Sequence, residues 1–203
     1  MNKIELLAPA GNLEKLKIAY LYGADAVYAG GKYFSLRARA SNFDLEDIKK
    51  ASQIAQELGK KFYVTMNIVP HDGDLENLEE YLRYLESVNV TGIIVSSLYI
   101  ANVSKRVSPK LERHLSTQDS VNNSLAIKYY EEKGFSRVVL ARETSISEIR
   151  KIKDKTKIQL EVFIHGGMCT SFSGRCMLSN YLTQRDANRG GCAHSCRWNY
   201  DVY

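Results

Sequence analysis

KFYVTMNIVPHDGDLENLEEYLRYLESVNVTGIIVS, residues 61 to 96, carries one complete structural unit. Its ends, KFYVTM (61 to 66) and GIIVS (92 to 96), are short apolar runs without clean alternation. A strand covered on both faces reads that way, because neither face meets water. Between them Leu75, Leu78, Leu82 and Leu85 fall on one stripe over residues 75 to 88. That spacing predicts a helix with a single apolar face. Strand, helix, strand in this order predicts a parallel pair joined by a crossover helix.

The unit recurs outward in both directions. Toward the amino terminus stand IELLA (4 to 8) and DAVYA (25 to 29); toward the carboxyl terminus stand RHLST (113 to 117), RVVLA (137 to 141) and LEVFIH (160 to 165). Most gaps read as helices. Asp44 can cap one that carries Ile48, Ala51, Ile54, Ala55 and Leu58 and stops at Gly59. Ser145-Ile-Ser-Glu148 fits a capping box ahead of Ile149 and Ile152, and residues 122 to 133 read as a helix with Gly134 behind it. Seven such units predict an α/β fold, a (β/α)8 TIM-barrel-like parallel barrel missing its last unit or more. An open doubly wound sheet is the runner-up. Residues 1–165 form the expected barrel-like core, and residues 166–203 a loop-rich, cysteine-rich segment continuous with it.

Composition is that of an ordinary globular chain, 44% hydrophobic and 25% charged. The opening MNKIELLAPAGN has no apolar core of a secretory signal, and no apolar run approaches the roughly 18 residues of a membrane span. The expectation is a cytoplasmic protein with no membrane association. Its net charge of +5 is compatible with RNA and diagnostic of nothing.

In either architecture function collects beyond the carboxyl ends of the strands. Those positions hold Pro9-Ala10-Gly11, Gly30-Gly31, Asn67 with His71, Ser96-Ser97, Gln118, Arg142-Glu143 and His165-Gly166-Gly167. Arg142 and Glu143 follow a buried strand directly and become candidates for substrate binding at the barrel mouth. Arg37 and Arg39, two apart in FSLRARASNF, share a face if the backbone is extended. Two convergent guanidiniums suit a carboxylate or a phosphate. Surface arginines paired with local acids would look the same. YAGGKYF lacks the Walker spacing, and no GxGxxG occurs.

All four cysteines lie in one late stretch, spaced Cys169-x6-Cys176-x15-Cys192-x3-Cys196. Thiols confined in this way point to metal or catalysis in a reducing compartment. Four thiolates can hold zinc tetrahedrally or an iron–sulfur cluster, and the spacing leaves both open. His165 and His194 lie close by as possible ligands. A Cys169/His165 nucleophile pair is conceivable. No G-x-S-x-G elbow and no H-E-x-x-H occurs.

EVFIHGGMCTSFSGRCMLS closely resembles the signature of peptidase family U32, the collagenase-like family. The matching positions are Glu161, Phe163, Gly166, Gly167, Met168, Cys169, Gly174, Cys176, Leu178 and Ser179. Gly167 departs, standing where the family has Ser or Ala, and leaves a more permissive turn before Cys169. LLAPAGNLEKLKIAYLYGADAVYAGG, FSLRARASNF, HLSTQDSVNN, VVLARETSISEI and SNYLTQRDANRGGCAHSCRW also look like family blocks, so the resemblance covers nearly the whole chain.

The resemblance implies a barrel-like α/β domain. Family members continue beyond the last cysteines, which marks a chain ending at Tyr203 as an expected fragment or short form. The branch most similar in the cysteine block is required for 5-hydroxyuridine at the tRNA wobble position, with prephenate linked to the pathway. Other branches act on ribosomal RNA or the ubiquinone ring, and still others are described as peptidases. In the quinone branch four cysteines hold a [4Fe-4S] cluster. Carried over, Cys169, Cys176 and Cys192 match such ligands, and Cys196 is the fourth. The expectation is therefore an iron–sulfur-dependent, oxygen-independent tRNA hydroxylation protein of oxidoreductase type. It would use a prephenate-derived donor and a protein partner for electron transfer. A U32 peptidase and a zinc- or cluster-bearing binding module are the alternatives.

Overall fold

The computed structural model describes residues 4–36 and 42–201. Seven strands follow one another as β1 (Leu7–Pro9), β2 (Ala26–Gly30), β3 (Lys61–Met66), β4 (Gly92–Val95), β5 (Glu112–Leu115), β6 (Arg137–Val139) and β7 (Gln159–Glu161). Every neighbouring pair is parallel, and the order in the sheet is the order in the chain. Six helices fill the gaps: α1 (Leu13–Leu21), α2 (Leu45–Glu57), α3 (Leu78–Ser87), α4 (Leu98–Val107), α5 (Ser124–Glu132) and α6 (Ile146–Lys155). A short α7 (Leu178–Thr183) follows β7. The doubly wound alternative is thereby excluded, because its strand order reverses and this one never does. A hydrogen bond from Arg137 Nη1 to Glu5 Oε1 at 2.6 Å joins the entry to β1 with the start of β6. The sheet must curl to allow it, and the molecule is an incomplete TIM-type barrel. No helix among the described residues is long and apolar enough to cross a membrane.

Local chemistry starts and stops the helices. The Asp44 carboxylate accepts from Asp47 N and the Asp47 carboxylate reaches back to Asp44 N, closing a capping box on α2. The Ser145 and Glu148 pair does the same for α6. Gly59 and Gly134, at φ +62° and +90°, turn the chain out of α2 and α5 in the left-handed region where side chains are disfavoured.

Some boundaries differ from the sequence expectation. Helix α3 begins at Leu78 because Asn77 is left-handed (φ 58°), and Leu75 closes a separate 3-10 turn, Asp72–Leu75. The run 113–117 is a strand only to Leu115, and Thr117 opens a 3-10 turn. The run 160–165 leaves the ladder after Glu161, so Phe163, Ile164 and His165 lie exposed beyond the sheet.

The strands have two distinct faces. Val27, Phe62, Val64, Ile93, Val95, Leu115 and Val138 face outward and join the helices in the main apolar core. The inner face is smaller: Ala26, Tyr63 and Ile94 pack with Leu7 and Tyr28. Polar residues fill the rest of it.

Candidate functional site at the carboxyl ends of the strands

Residues read as strand-end polar groups do lie on that face, but several serve the loops. Ser96 Oγ donates to Asn67 O at 3.1 Å, and Asn67 Oδ1 accepts from Leu36 N at 3.3 Å. Ser116 Oγ donates to Gln118 Oε1 at 3.1 Å, and Thr117 Oγ1 to Leu140 O at 3.0 Å. A methyl on Gly31 would overlap Tyr81 Oη and force that side chain to shift.

Arg142 is half-buried, its guanidinium 4.6 Å from the centre of the Phe163 ring, a cation–π contact. Its Nη1 lies 3.9 Å from where a Cβ on Gly174 would stand. Glu143 is engaged by the cysteine segment: its two oxygens accept from Ser173 N at 2.7 Å and Ser173 Oγ at 2.8 Å. Desolvation pulls the Glu143 pKa up, but those two donors and Arg142 outweigh it and hold the carboxyl below the usual range. Arg37 and Arg39 lie outside the described residues. His165 is exposed in the bend after β7.

The four cysteines are free thiols, Cys176 partly covered and the others exposed. Cys169 Sγ lies 3.2 Å from Ser171 Oγ. Cys192 Sγ accepts from His194 N at 3.4 Å and from the buried Ser179 Oγ at 3.9 Å. Ser179 Oγ also accepts from Ala193 N at 3.0 Å, and Asn188 Nδ2 donates to Cys176 O at 3.2 Å. Cys196 sits in a 3-10 turn, Ser195–Arg197, that packs on α7. Among the described residues no three His, Cys, Asp or Glu side chains are gathered closely enough to hold one metal ion. The donor chemistry therefore suits a four-thiolate site, while the arrangement is not a closed cage.

A second polar assembly lies inside the barrel at the amino ends of the strands. Arg137 Nη1 also bonds Glu161 Oε2 at 3.3 Å, and Arg137 Nε and Nη2 bond Gln159 Oε1 at 3.1 and 2.8 Å. Lys61 Nζ lies 3.2 Å from Glu5 and 3.9 Å from Glu112, and Tyr63 Oη donates to Glu5 Oε1 at 3.3 Å. The sequence reading missed this assembly. Its signal was Lys61, Tyr63 and Thr65 at every second position of β3, and likewise Glu112 with His114 and Gln159 with Glu161. Polar residues at period two opposite an apolar outer face are the alternation of a barrel strand, which reading these runs as apolar without clean alternation passed over.

The profile of peptidase family U32 matches residues 11–203. The chain is 55% identical over 201 residues to "tRNA hydroxylation protein P1" of Bacillus subtilis (strain 168), covering 99% of this chain and 48% of that protein. It is 38% identical over 201 residues to the "23S rRNA 5-hydroxycytidine C2501 synthase" of Escherichia coli (strain K12), covering 99% of this chain and 30% of that protein. The solved structure of the U32 peptidase Mk0906 superposes with a TM-score of 0.65 at 13% identity, over 79% of this chain and 68% of that one, which is a likeness of fold. The chain thus spans about half the length of the first of these relatives, 48%.

Proposed function

This chain belongs to peptidase family U32, and on that premise we propose that it takes part in RNA hydroxylation, with tRNA as the substrate. The observation that carries the reading is the similarity over 99% of the chain to two proteins named for hydroxylating or hydroxylated RNA, one of them 55% identical. Four free thiols on one segment agree with it.

In this reading Cys169, Cys176, Cys192 and Cys196 hold a [4Fe-4S] cluster, which supplies one-electron chemistry beside the barrel mouth. Of these sulfurs, Cys192 Sγ receives two hydrogen-bond donors, Ser179 Oγ and His194 N. Arg142 presents a fixed cation at the mouth and suits an anionic group such as a phosphate or a prephenate-derived carboxylate. Arg37 and Arg39 would add two more. An electron-donating protein partner completes the reading. The peptidase reading lacks a comparable arrangement: the Cys169 sulfur hydrogen-bonds Ser171, and a hydroxyl is no general base for a thiol.

Anaerobic purification followed by iron, sulfide and zinc analysis tests the cofactor. The expected result is iron and sulfide in near-equal amounts; one zinc per chain without iron would rule the cluster out. Nucleoside mass spectrometry of tRNA from a deletion strain tests the substrate, with loss of 5-hydroxyuridine derivatives expected and unchanged tRNA excluding it.

A further inference from the structure

The cysteine segment is tied to the barrel at points that alternate with its cysteines. Between Cys169 and Cys176, Ser173 is held by Glu143 from the β6–α6 loop, and Arg175 Nη2 bonds Asp119 Oδ1 at 2.7 Å from the β5–α5 loop. Between Cys176 and Cys192, Arg189 bonds Asp74 and Asn188 O accepts from Val69 N at 3.0 Å, both partners in the β3–α3 loop. Three carboxylates from three loops on one face thus grip one segment. Ser173 is left-handed (φ 47°) without being glycine, a conformation that persists only where neighbours impose it. The Glu143 carboxylate imposes it through both the backbone N–H and the hydroxyl of that residue.

We infer that Glu143 and Asp119 are positioning residues that hold the Cys169–Cys176 loop over the carboxyl ends of β5 and β6. This rests on the reading that these thiols carry the cofactor. Glu143, read from sequence as a substrate-binding group at the mouth, acts in this assignment through Ser173 instead. A largely exposed loop with one glycine and two serines between its cysteines has no apolar core of its own, so charge-assisted hydrogen bonds fix it.

The test compares the 203-residue wild-type chain with its Glu143→Gln and Arg175→Gln variants. Amide hydrogen exchange over residues 166 to 177 should rise about tenfold in each variant, the factor expected for loss of a charged hydrogen bond, with exchange in β3 to β6 unchanged. After anaerobic reconstitution with iron and sulfide, each variant should bind less iron or give an altered electron paramagnetic resonance spectrum. Unchanged exchange in both variants overturns the assignment. So does raised exchange combined with wild-type iron content and an identical spectrum. If the wild-type chain itself takes up no iron, the proposed cofactor falls, and exchange alone decides the clamp by the same criterion. Arg175 is an exposed side chain, so its variant carries the test if Glu143→Gln fails to fold.

Discussion

His114 sits fully buried inside the barrel, its Nε2 2.9 Å from Glu112 Oε2 and its Nδ1 without a hydrogen-bond partner among the described residues. The bond draws the pair in opposite senses. Glu112 is pushed below the usual carboxylate range, chiefly by His114, whereas burial pushes His114 below the usual imidazole range in spite of Glu112. Complete burial governs, and the ring is neutral with its proton on Nε2. Arg137 opposes protonation as well, while Glu5 favours it weakly. A depressed folded-state value means that the unfolded chain binds a proton the folded chain refuses. Nothing is lost at neutral pH, where both states are neutral, and stability falls once pH drops below about 6.5, the ordinary imidazole value. Glu112 adds a second loss of the same sign further down, its stabilising bond present above the usual carboxylate range and lost as pH falls through its depressed value. Urea titrations between pH 7.5 and pH 5.5 should show wild type losing up to about 1.4 kcal/mol per pH unit below that point. His114→Gln, which keeps a donor for Glu112, should flatten this slope. An equal slope in both proteins would place the acid sensitivity elsewhere.

The elements show why strand positions were legible and strand interiors were not. Repeated apolar runs, the Asp44 cap and the Ser145–Glu148 capping box located β3, β4, α2 and α6 because those signals are local. The end of β7 was set too late because Val162, Phe163 and Ile164 continue the apolar run, yet all three lie exposed past the last ladder residue. Apolar residues outside a ladder cannot be told from residues within one by composition. Gly92 in β4 illustrates a constraint invisible before pairing. Its register partner is Glu112 in β5, and a Cβ on Gly92 would stand 2.7 Å from both the Glu112 Cβ and its carbonyl oxygen. Gly92→Ala should therefore cost about 1–3 kcal/mol, the usual range for overpacking, despite alanine's better intrinsic propensity. Chemical denaturation measures it, and a stabilised variant would contradict the crowding.

At the scale of the whole molecule, two kinds of polar contact do different work. Inside the barrel Arg137 links Glu5 to Glu161, sheltered from solvent, and so ties the first strand to the last two. Above the mouth the cysteine segment is held by Arg175–Asp119 and Arg189–Asp74, whose arginines remain substantially exposed. Salt screens exposed pairs far more than buried ones. Raising ionic strength to about 1 M should speed amide exchange in the segment about two- to fivefold, the factor for weak exposed pairs, and leave β3 to β6 unaffected. An equal rise in the strands would mean that the segment and the barrel open together.

Sequence alone determined the seven parallel units, the incomplete barrel and the family, because periodicity, caps and the spacing around Cys169 and Cys176 are written along the chain. It also located every thiol. Only the tertiary structure decided which side of each strand faces the barrel axis, and hence that Glu5, Lys61, Glu112, His114, Arg137 and Glu161 meet there. It alone assigned Glu143 to Ser173, since a carboxylate at a strand end has the same sequence whether it faces a substrate or a neighbouring loop. The physical reason is common to both: hydrogen bonds and ion pairs between groups far apart in sequence exist only after the sheet has curled and brought its loops together.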